Sequence, residues 1–190
     1  MKTDIVIAGV GGQGILSIAV VIGTAAVNNN LNIKQAEVHG MSQRGGAVYS
    51  HVRVSDKPVA SDLIPLGKAD LVLSVEPLEA LRYIPYLSPD GKLVTNIHPF
   101  VNMDAYPDPQ AILEQLNAMQ NCILIDAEAL ASKKASNMVM LGAAAPFINI
   151  ETKELEKAIA ALFENKGEEI VTMNVSAFWE GYRAATNQEK

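Results

Sequence analysis

The sequence predicts an α/β fold in which a doubly wound, mostly parallel sheet is covered by helices on both faces. Short runs rich in Val, Ile and Leu alternate with longer segments of helical periodicity, which is the pattern of parallel strands joined by helices. The chain has 190 residues, of which 49% are hydrophobic and 19% charged, so it can bury the core of one domain. Neither an internal repeat nor a linker divides it, and we expect a single domain over residues 1–190.

Six short apolar segments are the predicted strands. Several are nearly continuous in Val, Ile and Leu, as expected for strands that are covered on both faces. No helix separates the second segment from the third, so these two are expected to form a hairpin-like excursion from the parallel order, across the loop 40–46. The six segments are residues 5–8, 33–38, 47–54, 71–75, 93–97 and 122–125.

Five segments are the predicted helices. Asp108 is placed to cap the third, and Thr152 and Glu154 enrich the start of the fourth. The apolar stretch of the first, residues 15–27, is too short to cross a bilayer, so we expect a buried helix. A strand and a glycine turn precede it and no basic segment leads into it, which favours a cytoplasmic protein over a signal peptide. The five segments are residues 14–28, 77–86, 109–119, 151–165 and 170–185.

The last predicted helix carries aromatic residues at roughly helical spacing, among them Phe178 and Trp179. We expect these side chains to dock the terminal helix on the body of the protein. A face that binds a partner protein is the alternative.

A glycine-rich turn joins the first predicted strand to the first predicted helix. Glycines allow a tight turn, and the first N–H groups of the helix converge there without partners inside the helix. These donors and the positive end of the helix dipole favour a phosphate or carboxylate group. The candidate binding residues of this turn are Gly9, Gly11, Gly12, Gln13 and Gly14.

The same turn satisfies the G-x-G-x-x-G fingerprint of Rossmann-like, dinucleotide-binding sheets through Gly9, Gly11 and Gly14. Glu37 lies 23 residues beyond Gly14, at the end of the next predicted strand, where such folds place an acid that binds ribose. A free-standing protein that binds NAD(P) is therefore one interpretation of the sequence. The other is that the glycines only permit the tight turn and the close packing of helix on strand.

A second cluster of chemically capable side chains lies between the second and third predicted strands, at the edge where open α/β sheets bind ligands. Arg44 stands beside two glycines, an arrangement suited to binding phosphate or carboxylate. The alternative is an exposed turn arginine paired with Glu37. His39 is either a general base or a hydrogen-bonded structural residue, and the structural role is favoured. The candidate binding residues here are Glu37, Ser42, Gln43, Arg44, Gly45 and Gly46.

Charge and cysteine content exclude several classes of function. The 15 basic and 21 acidic residues give a net charge of -6, so nucleic acid is not an expected partner. The single cysteine, Cys122, lies in a predicted buried strand and cannot make a disulfide, an iron–sulfur cluster or a cysteine zinc site. The three histidines lack metal-ligand spacing, and neither a Ser-His-Asp nor a Cys-His set is found. We therefore assign no metal site and no catalytic residue to this chain, and any redox centre must be supplied by something else.

Three motifs, in order along the chain, carry a resemblance to a known family. They are GVGGQGI at residues 9–15, EVHGMSQRGGAVYSHVR at 37–53 and EPLEALR at 76–82. Together they resemble the small, gamma-type subunit of the 2-oxoacid:ferredoxin oxidoreductases, and within that group the small subunit of the indolepyruvate enzymes. The resemblance extends over nearly the whole chain and is more specific than one glycine turn, so we rank it above the NAD(P) interpretation.

The resemblance implies a heteromeric enzyme that converts an aryl 2-oxoacid such as indolepyruvate, with coenzyme A and oxidised ferredoxin, into an aryl-acetyl-CoA, carbon dioxide and reduced ferredoxin. Thiamine diphosphate, magnesium and 4Fe–4S clusters would lie on a large partner subunit, with two copies of each chain as one arrangement. This chain would interact with ferredoxin only indirectly, and in isolation it would be inactive. In agreement, the turn at residues 89–91 lacks the first glycine of the GDG that a thiamine diphosphate motif contains.

The resemblance also suggests a ligand for the two candidate clusters. Coenzyme A carries a pyrophosphate and a ribose phosphate, which match a glycine-lined helix N-terminus and Arg44. Glu37 would repel a nearby phosphate unless Arg44 neutralises it. The glycine turn thus holds either coenzyme A or the partner subunit, and a scaffold subunit that binds only protein is the remaining alternative.

Overall fold

The computed structural model describes residues 1–39, 46–101 and 105–188, and within them six strands form one mixed sheet. The predicted α/β fold with a mostly parallel sheet is confirmed. All six predicted strands are present, and four of them begin earlier than predicted. They are β1 Lys2–Val10, β2 Asn32–His39, β3 Ala47–Ser55, β4 Ala69–Ser74, β5 Leu87–Asn96 and β6 Cys122–Ile125.

The strand order across the sheet is β2-β3-β1-β4-β5-β6. β1, β4, β5 and β6 run parallel, whereas β3 is antiparallel to both of its neighbours, β1 and β2. Ile5 of β1, for example, lies opposite Val52 of β3 and Leu71 of β4. The predicted excursion is confirmed, and it inserts β3 between β2 and β1. The sequence does not predict that insertion, because tertiary packing rather than local pattern decides which strands pair.

Seven α-helices lie in the described part of the chain. Asp108 caps α3 as predicted, since its carboxylate accepts a backbone N–H at 3.2 Å. The helix predicted at 77–86 is α-helical only to Tyr83 and ends in a 3₁₀ turn over Ile84–Tyr86, where Pro85 has no N–H for a longer α-helix. The helices are α1 Ile15–Asn28, α2 Pro77–Tyr83, α3 Pro109–Asn117, α4 Ala127–Leu130, α5 Ser136–Ala144, α6 Thr152–Phe163 and α7 Glu168–Gln188.

The helices form a layer on each face of the sheet. On one face, α1, α5, α6 and α7 belong to the core that contains Ile5 and Ile7. On the other face, α2 and α3 belong to the core that contains Val6 and Ala8. Successive residues of β1 therefore enter two separate cores, as the alternation of side chains along a strand requires. This is the doubly wound arrangement that the apolar strands predict.

Two helices between β6 and α6, the short α4 and the central α5, are absent from the prediction. Every residue of α5 from Asn137 to Ala144 is buried, so this helix lacks the polar positions from which helical periodicity is read. Gly142 lets α5 and α7 touch through their backbones, because a Cβ there would lie 1.8 Å from the carbonyl oxygen of Phe178. The Phe178 side chain is fully buried, so it docks the terminal helix on the body as predicted.

α1 is not the fully buried helix that its composition predicts. Its inner face is buried, whereas the side chains of Leu16, Val20 and Val27 on its other face are exposed. The helix packs along the sheet through its inner face. In residues 1–39, 46–101 and 105–188, no helix is long and apolar enough to span a bilayer.

Candidate functional site

The glycine turn lies at the carboxyl edge of the sheet, where β1 ends and α1 begins. Packing requires Gly9, since a Cβ there would lie 2.3 Å from Cγ2 of Val75, which follows β4. Gly12 and Gly14 adopt positive φ angles of 97° and 77°, which other residues rarely adopt. Gly14 also packs against Asn137 of α5, whose side-chain amide donates to the Gly14 carbonyl at 3.3 Å. The turn therefore exposes backbone, not side chains, at the edge of the sheet.

Part of the hydrogen-bonding capacity of the turn is used inside the turn. The Gln13 side chain accepts the Val10 N–H at 2.8 Å and donates to the Val75 carbonyl at 3.5 Å. The Gly11 N–H donates to the carbonyl of Gly46 at 2.9 Å. Gln13 and Gly11 thus hold the shape of the turn. The first turn of α1 has neither a side-chain cap nor an acidic residue, so its dipole remains available to an anion.

A cleft of about 470 Å³ opens beside the glycine turn. Its walls come from the turn and the start of α1, from the segments that follow β4, β5 and β6, and from α5 and the end of α6. Carboxyl edges of parallel strands are where open α/β sheets bind ligands. The charged residues and the histidine that line the cleft are His98, Glu128, Lys133, Lys134 and Lys166.

The cleft is basic although the chain as a whole is acidic. Lys133, Lys134 and Lys166 line it, against one carboxylate among the described lining residues, that of Glu128. The Glu128 carboxylate lies 3.8 Å from Lys133 Nζ. Three lysines and the N-terminus of α1 line the same space, which makes the cleft suitable for an anion with more than one phosphate group.

His98 and Asp126 form a hydrogen-bonded pair at the rim of the cleft. His98 follows β5 and lines the cleft, and its Nε2 lies 2.7 Å from Oδ1 of Asp126, which follows β6. The Asp126 carboxylate also caps α4 by accepting the Ala129 N–H at 2.9 Å. The hydrogen bond from His98 holds the pKa of Asp126 below its usual range. An anionic aspartate therefore orients the imidazole that the cleft presents to a ligand.

Behind the cleft, the buried carboxylate of Glu76 fastens the segment that follows β5. One carboxylate oxygen caps α2 by accepting the Glu79 N–H at 2.8 Å. The other accepts the Phe100 N–H at 3.2 Å and the Tyr106 hydroxyl. Burial, together with the hydrogen bond to Glu76, raises the pKa of Tyr106, so its hydroxyl stays protonated and donates. Because Phe100 lines the cleft, Glu76 fixes one of its walls.

The first predicted cluster lies at the cleft. Gly11, Gly12, Gln13 and Gly14 line the cleft, and Gly9 packs behind them. Gly12 and Gly14 give the turn its shape. The Gln13 side chain is bonded to Val10 within the turn and to Val75 after β4.

Glu37 of the second cluster does not lie beside β1. It is on β2, opposite Ser50 of β3, and β3 separates it from β1. Neighbouring strands are about 4.8 Å apart, so Glu37 is about 10 Å from the line of β1. In a dinucleotide-binding sheet the ribose-binding acid ends the strand next to β1. The geometry therefore counts against the NAD(P) interpretation although the glycine fingerprint is intact.

The other members of the second cluster, Ser42, Gln43, Arg44 and Gly45, lie outside the described residues, as does the side chain of His39. Gly46 is described, and its carbonyl accepts the Gly11 N–H. The chain that follows the cluster is thus fastened to the glycine turn.

Sequence reasoning misses the lysines and the His98 pair. Lys133 and Lys134 fall between two helices that the sequence does not predict, and Lys166 lies further along the chain in a turn. The partners His98 and Asp126 are 28 residues apart and follow different strands. The signal that could have found them is topological, because residues that follow parallel strands meet at one edge of the sheet.

Within residues 1–39, 46–101 and 105–188, no three His, Cys, Asp or Glu side chains converge as a metal site would require. Cys122 is partly buried, and burial raises the pKa of its thiol to about 12. A thiol that stays protonated is a poor nucleophile and a poor metal ligand.

Comparison with known proteins identifies relatives along the whole chain. The family described as pyruvate ferredoxin/flavodoxin oxidoreductase matches residues 4–184. The chain is 38% identical to the indolepyruvate oxidoreductase subunit IorB of Methanothermobacter thermautotrophicus, over 97% of this chain and 98% of that one. It is 30% identical to the 2-oxoglutarate synthase subunit KorC of Methanocaldococcus jannaschii, over 97% of this chain and 95% of that one.

A solved structure has a similar fold. It is the 2-oxoglutarate:ferredoxin oxidoreductase from Magnetococcus marinus with 2-oxoglutarate, coenzyme A and succinyl-CoA bound. The TM-score is 0.77 at 23% identity, and the match covers 98% of this chain and 31% of that one. The same fold thus forms about a third of a longer chain in that enzyme.

Proposed function

The chain belongs to the pyruvate ferredoxin/flavodoxin oxidoreductase family as a small subunit of a 2-oxoacid:ferredoxin oxidoreductase, and we propose that its cleft binds coenzyme A for that enzyme. Its relatives are subunits that align over nearly their full length, so this chain works with partner subunits. In this proposal the chain binds coenzyme A, which accepts the acyl group.

The basic cleft is the observation that carries the proposal. Coenzyme A has a pyrophosphate and a ribose phosphate, and the cleft offers the N-terminus of α1 together with Lys133, Lys134 and Lys166. Its volume of about 470 Å³ is in the range of small-molecule sites. His98, oriented by Asp126, is placed to bind the same ligand. In the M. marinus enzyme, whose fold is similar, coenzyme A is bound.

We also assign residues 42–46 of the second predicted cluster to this site. Gly46 is hydrogen-bonded to Gly11 of the glycine turn, which fastens the end of the cluster beside the cleft. In this proposal Ser42, Gln43, Arg44 and Gly45 complete the site, with the Arg44 guanidinium binding a phosphate in bidentate fashion.

We propose an aryl 2-oxoacid such as indolepyruvate as the substrate of the complex. The relatives at 35–38% identity over nearly the whole chain are indolepyruvate oxidoreductase subunits, whereas the 2-oxoglutarate synthase subunit stands at 30%. The products would be an aryl-acetyl-CoA, carbon dioxide and reduced ferredoxin.

In this proposal a large partner subunit holds thiamine diphosphate with magnesium and the 4Fe–4S clusters. The same subunit binds ferredoxin. Cys122 is the only cysteine of the sequence, too few for a cluster. This chain would then bind and orient coenzyme A, and the partner would supply the carbanion chemistry and the electron relay.

Titration of coenzyme A into the isolated chain, followed by calorimetry, tests the proposal. We expect binding of coenzyme A, weaker binding of dephospho-coenzyme A, and no binding of NAD(H) or NADP(H) tighter than about 1 mM. Replacing both Lys133 and Lys134 by Ala should weaken coenzyme A binding about ten- to a hundredfold, because charge-assisted hydrogen bonds contribute about 1.5–3 kcal/mol.

The matched control is Lys153→Ala, since Lys153 is exposed on α6 and does not line the cleft. Its affinity for coenzyme A should equal that of the wild type. If the double variant of Lys133 and Lys134 binds coenzyme A as tightly as the wild type, the cleft is not the coenzyme A site. If the wild type does not bind coenzyme A, the chain is a scaffold, and micromolar affinity for a nicotinamide nucleotide would restore the NAD(P) interpretation.

A further inference from the structure

α1 exposes a face that carries no charge. None of its fourteen residues is charged, and on its outer side Leu16 is 44% exposed, Val20 46% and Val27 60%. A surface helix ordinarily presents charged and polar side chains to water. The polar residues on this side are uncharged, namely Ser17, Thr24 and Asn28. An outer side with three exposed aliphatic side chains and no charge is suited to contact with another protein.

The exposed side of α1 adjoins the open edge of the sheet. A shallow groove of about 410 Å³ runs between α1 and β2, with Val20, Gly23 and Val27 on one side and Ile33 and Gln35 on the other. In the described sheet β2 is the terminal strand and pairs with β3 alone, so its outer edge is open. Open strand edges are sites at which another chain can be added.

We propose that the α1–β2 face, formed by Leu16, Val20, Val27 and Ile33, is the surface on which the large, cofactor-bearing partner subunit docks. This inference rests on the proposed function, since that function supplies the partner. The contacting surface of the partner is aliphatic and uncharged, because a charged group against Val20 and Val27 would lose its hydration without gaining an opposite charge.

Continuity with the cleft points to the partner subunit as the occupant. Leu16 lies in the first turn of α1, next to Gly14 and Ser17, which line the cleft. A chain seated on the α1–β2 face therefore reaches the mouth of the cleft. Coenzyme A held there must accept an acyl group that is formed on the partner, so the reaction requires the partner to come close to the mouth of the cleft, near the start of α1.

The size of the face argues against a second copy of this chain packed helix against helix. The stripe from Leu16 to Val27 is about 16 Å long and a helix is about 10 Å wide, which gives on the order of 200 Å². A stable interface buries about 800 Å² on each partner. The occupant must therefore extend beyond α1, over β2 or onto the rim of the cleft, as a large subunit can.

Affinity for the large subunit, measured with the co-expressed pair, tests the proposal. The double variant Val20→Lys with Val27→Lys places two charges on the face at helical positions that lysine tolerates. We expect its affinity for the large subunit to fall about thirtyfold or more, as at a buried interface position. Thermal unfolding and coenzyme A binding of the isolated variant should match the wild type. Leu66→Lys, in the loop between β3 and β4 and 65% exposed, is the matched control and should leave the affinity unchanged.

Unchanged affinity in the double lysine variant would overturn the proposal. So would a wild-type dimer that the variant breaks while it still binds the large subunit, since a second copy would then cover the face. If the lysine variant does not fold, Val20→Ser with Val27→Ser replaces it, and a loss of less than about threefold would count against the docking surface. Failure of the wild type to associate with any thiamine diphosphate-binding chain would instead disprove the proposed function.

Discussion

Glu76 shows how one buried carboxylate can shape a site that it does not line. It joins α2 to the segment after β5 through three hydrogen bonds, from the Glu79 and Phe100 N–H groups and from the Tyr106 hydroxyl. All three donors need an acceptor oxygen. A carboxylate has two such oxygens, whereas a carboxamide has one oxygen and an NH₂ group that only donates. The charge of Glu76 is stabilised by the helix N-terminus that it caps.

Glu76→Gln should therefore lower the free energy of unfolding by about 1.5–3 kcal/mol, because the new amide N–H faces a donor. Tyr106→Phe removes one of the three hydrogen bonds and should cost about 1.5 kcal/mol, the low end of the range for a bond to a charged group, because the carboxylate keeps its other two donors. Urea denaturation of the isolated chain measures both. If Glu76→Gln costs no more than Tyr106→Phe, the carboxylate is not the group that organises this wall of the cleft.

At the scale of the elements, α5 and α7 pack so closely that their backbones are in contact. A Cβ at Gly142 would lie 1.8 Å from the Phe178 carbonyl oxygen, and one at Gly181 would lie 1.9 Å from the Val139 carbonyl oxygen. Both close contacts are with backbone, which cannot move aside as a flexible side chain can. The two glycines thus set the distance between the helices.

Gly142→Ala should destabilise the protein by about 3 kcal/mol, the upper part of the range for overpacked cores. Gly23→Ala on α1 is the matched control, since its nearest contact is the end of the flexible Ile33 side chain at 3.2 Å. Alanine favours a helix over glycine by about 1 kcal/mol, so this control should be neutral or stabilising. Urea denaturation again measures both, and equal stabilities of the two variants would disprove the backbone contact.

Local pattern predicts the elements but not their arrangement. The six strands follow from apolar runs bounded by turns, and Asp108 marks the start of α3 because capping is a local interaction. α5 is missed because a helix buried on all sides has no polar positions to reveal its period. Glu37 is misplaced as a ribose-binding acid because the insertion of β3 depends on strand pairing across the whole sheet.

The candidate site, like the fold, can be predicted from the sequence only in part. The glycine turn is visible in the sequence because its conformation needs glycine at Gly12 and Gly14. The lysines of the cleft cannot be recognised in the sequence, because they come together only when α5 and α6 pack against the sheet. A basic site inside an acidic chain cannot be read from net charge.

On the scale of the whole molecule, the cleft at the carboxyl edge of the sheet and the uncharged face of α1 adjoin each other at the first turn of α1. We propose that residues 1–190 fold as one domain, since both cores share β1. In the proposed division of labour this chain binds coenzyme A, and the partner subunit supplies the reaction centre.

The isolated chain should therefore not oxidise indolepyruvate or another 2-oxoacid with any electron acceptor, because it supplies neither an electron sink for the carbanion nor an electron relay. Reduction of a viologen dye, with thiamine diphosphate, magnesium and coenzyme A present, measures this activity. Adding the large subunit should restore turnover. In the restored complex, replacing Lys133 and Lys134 by Ala should raise KM for coenzyme A and leave kcat nearly unchanged, which is the mark of lost ground-state binding. Turnover by the isolated chain would contradict this division of labour, whereas a fall in kcat at unchanged KM would show that the lysines act on the chemical step.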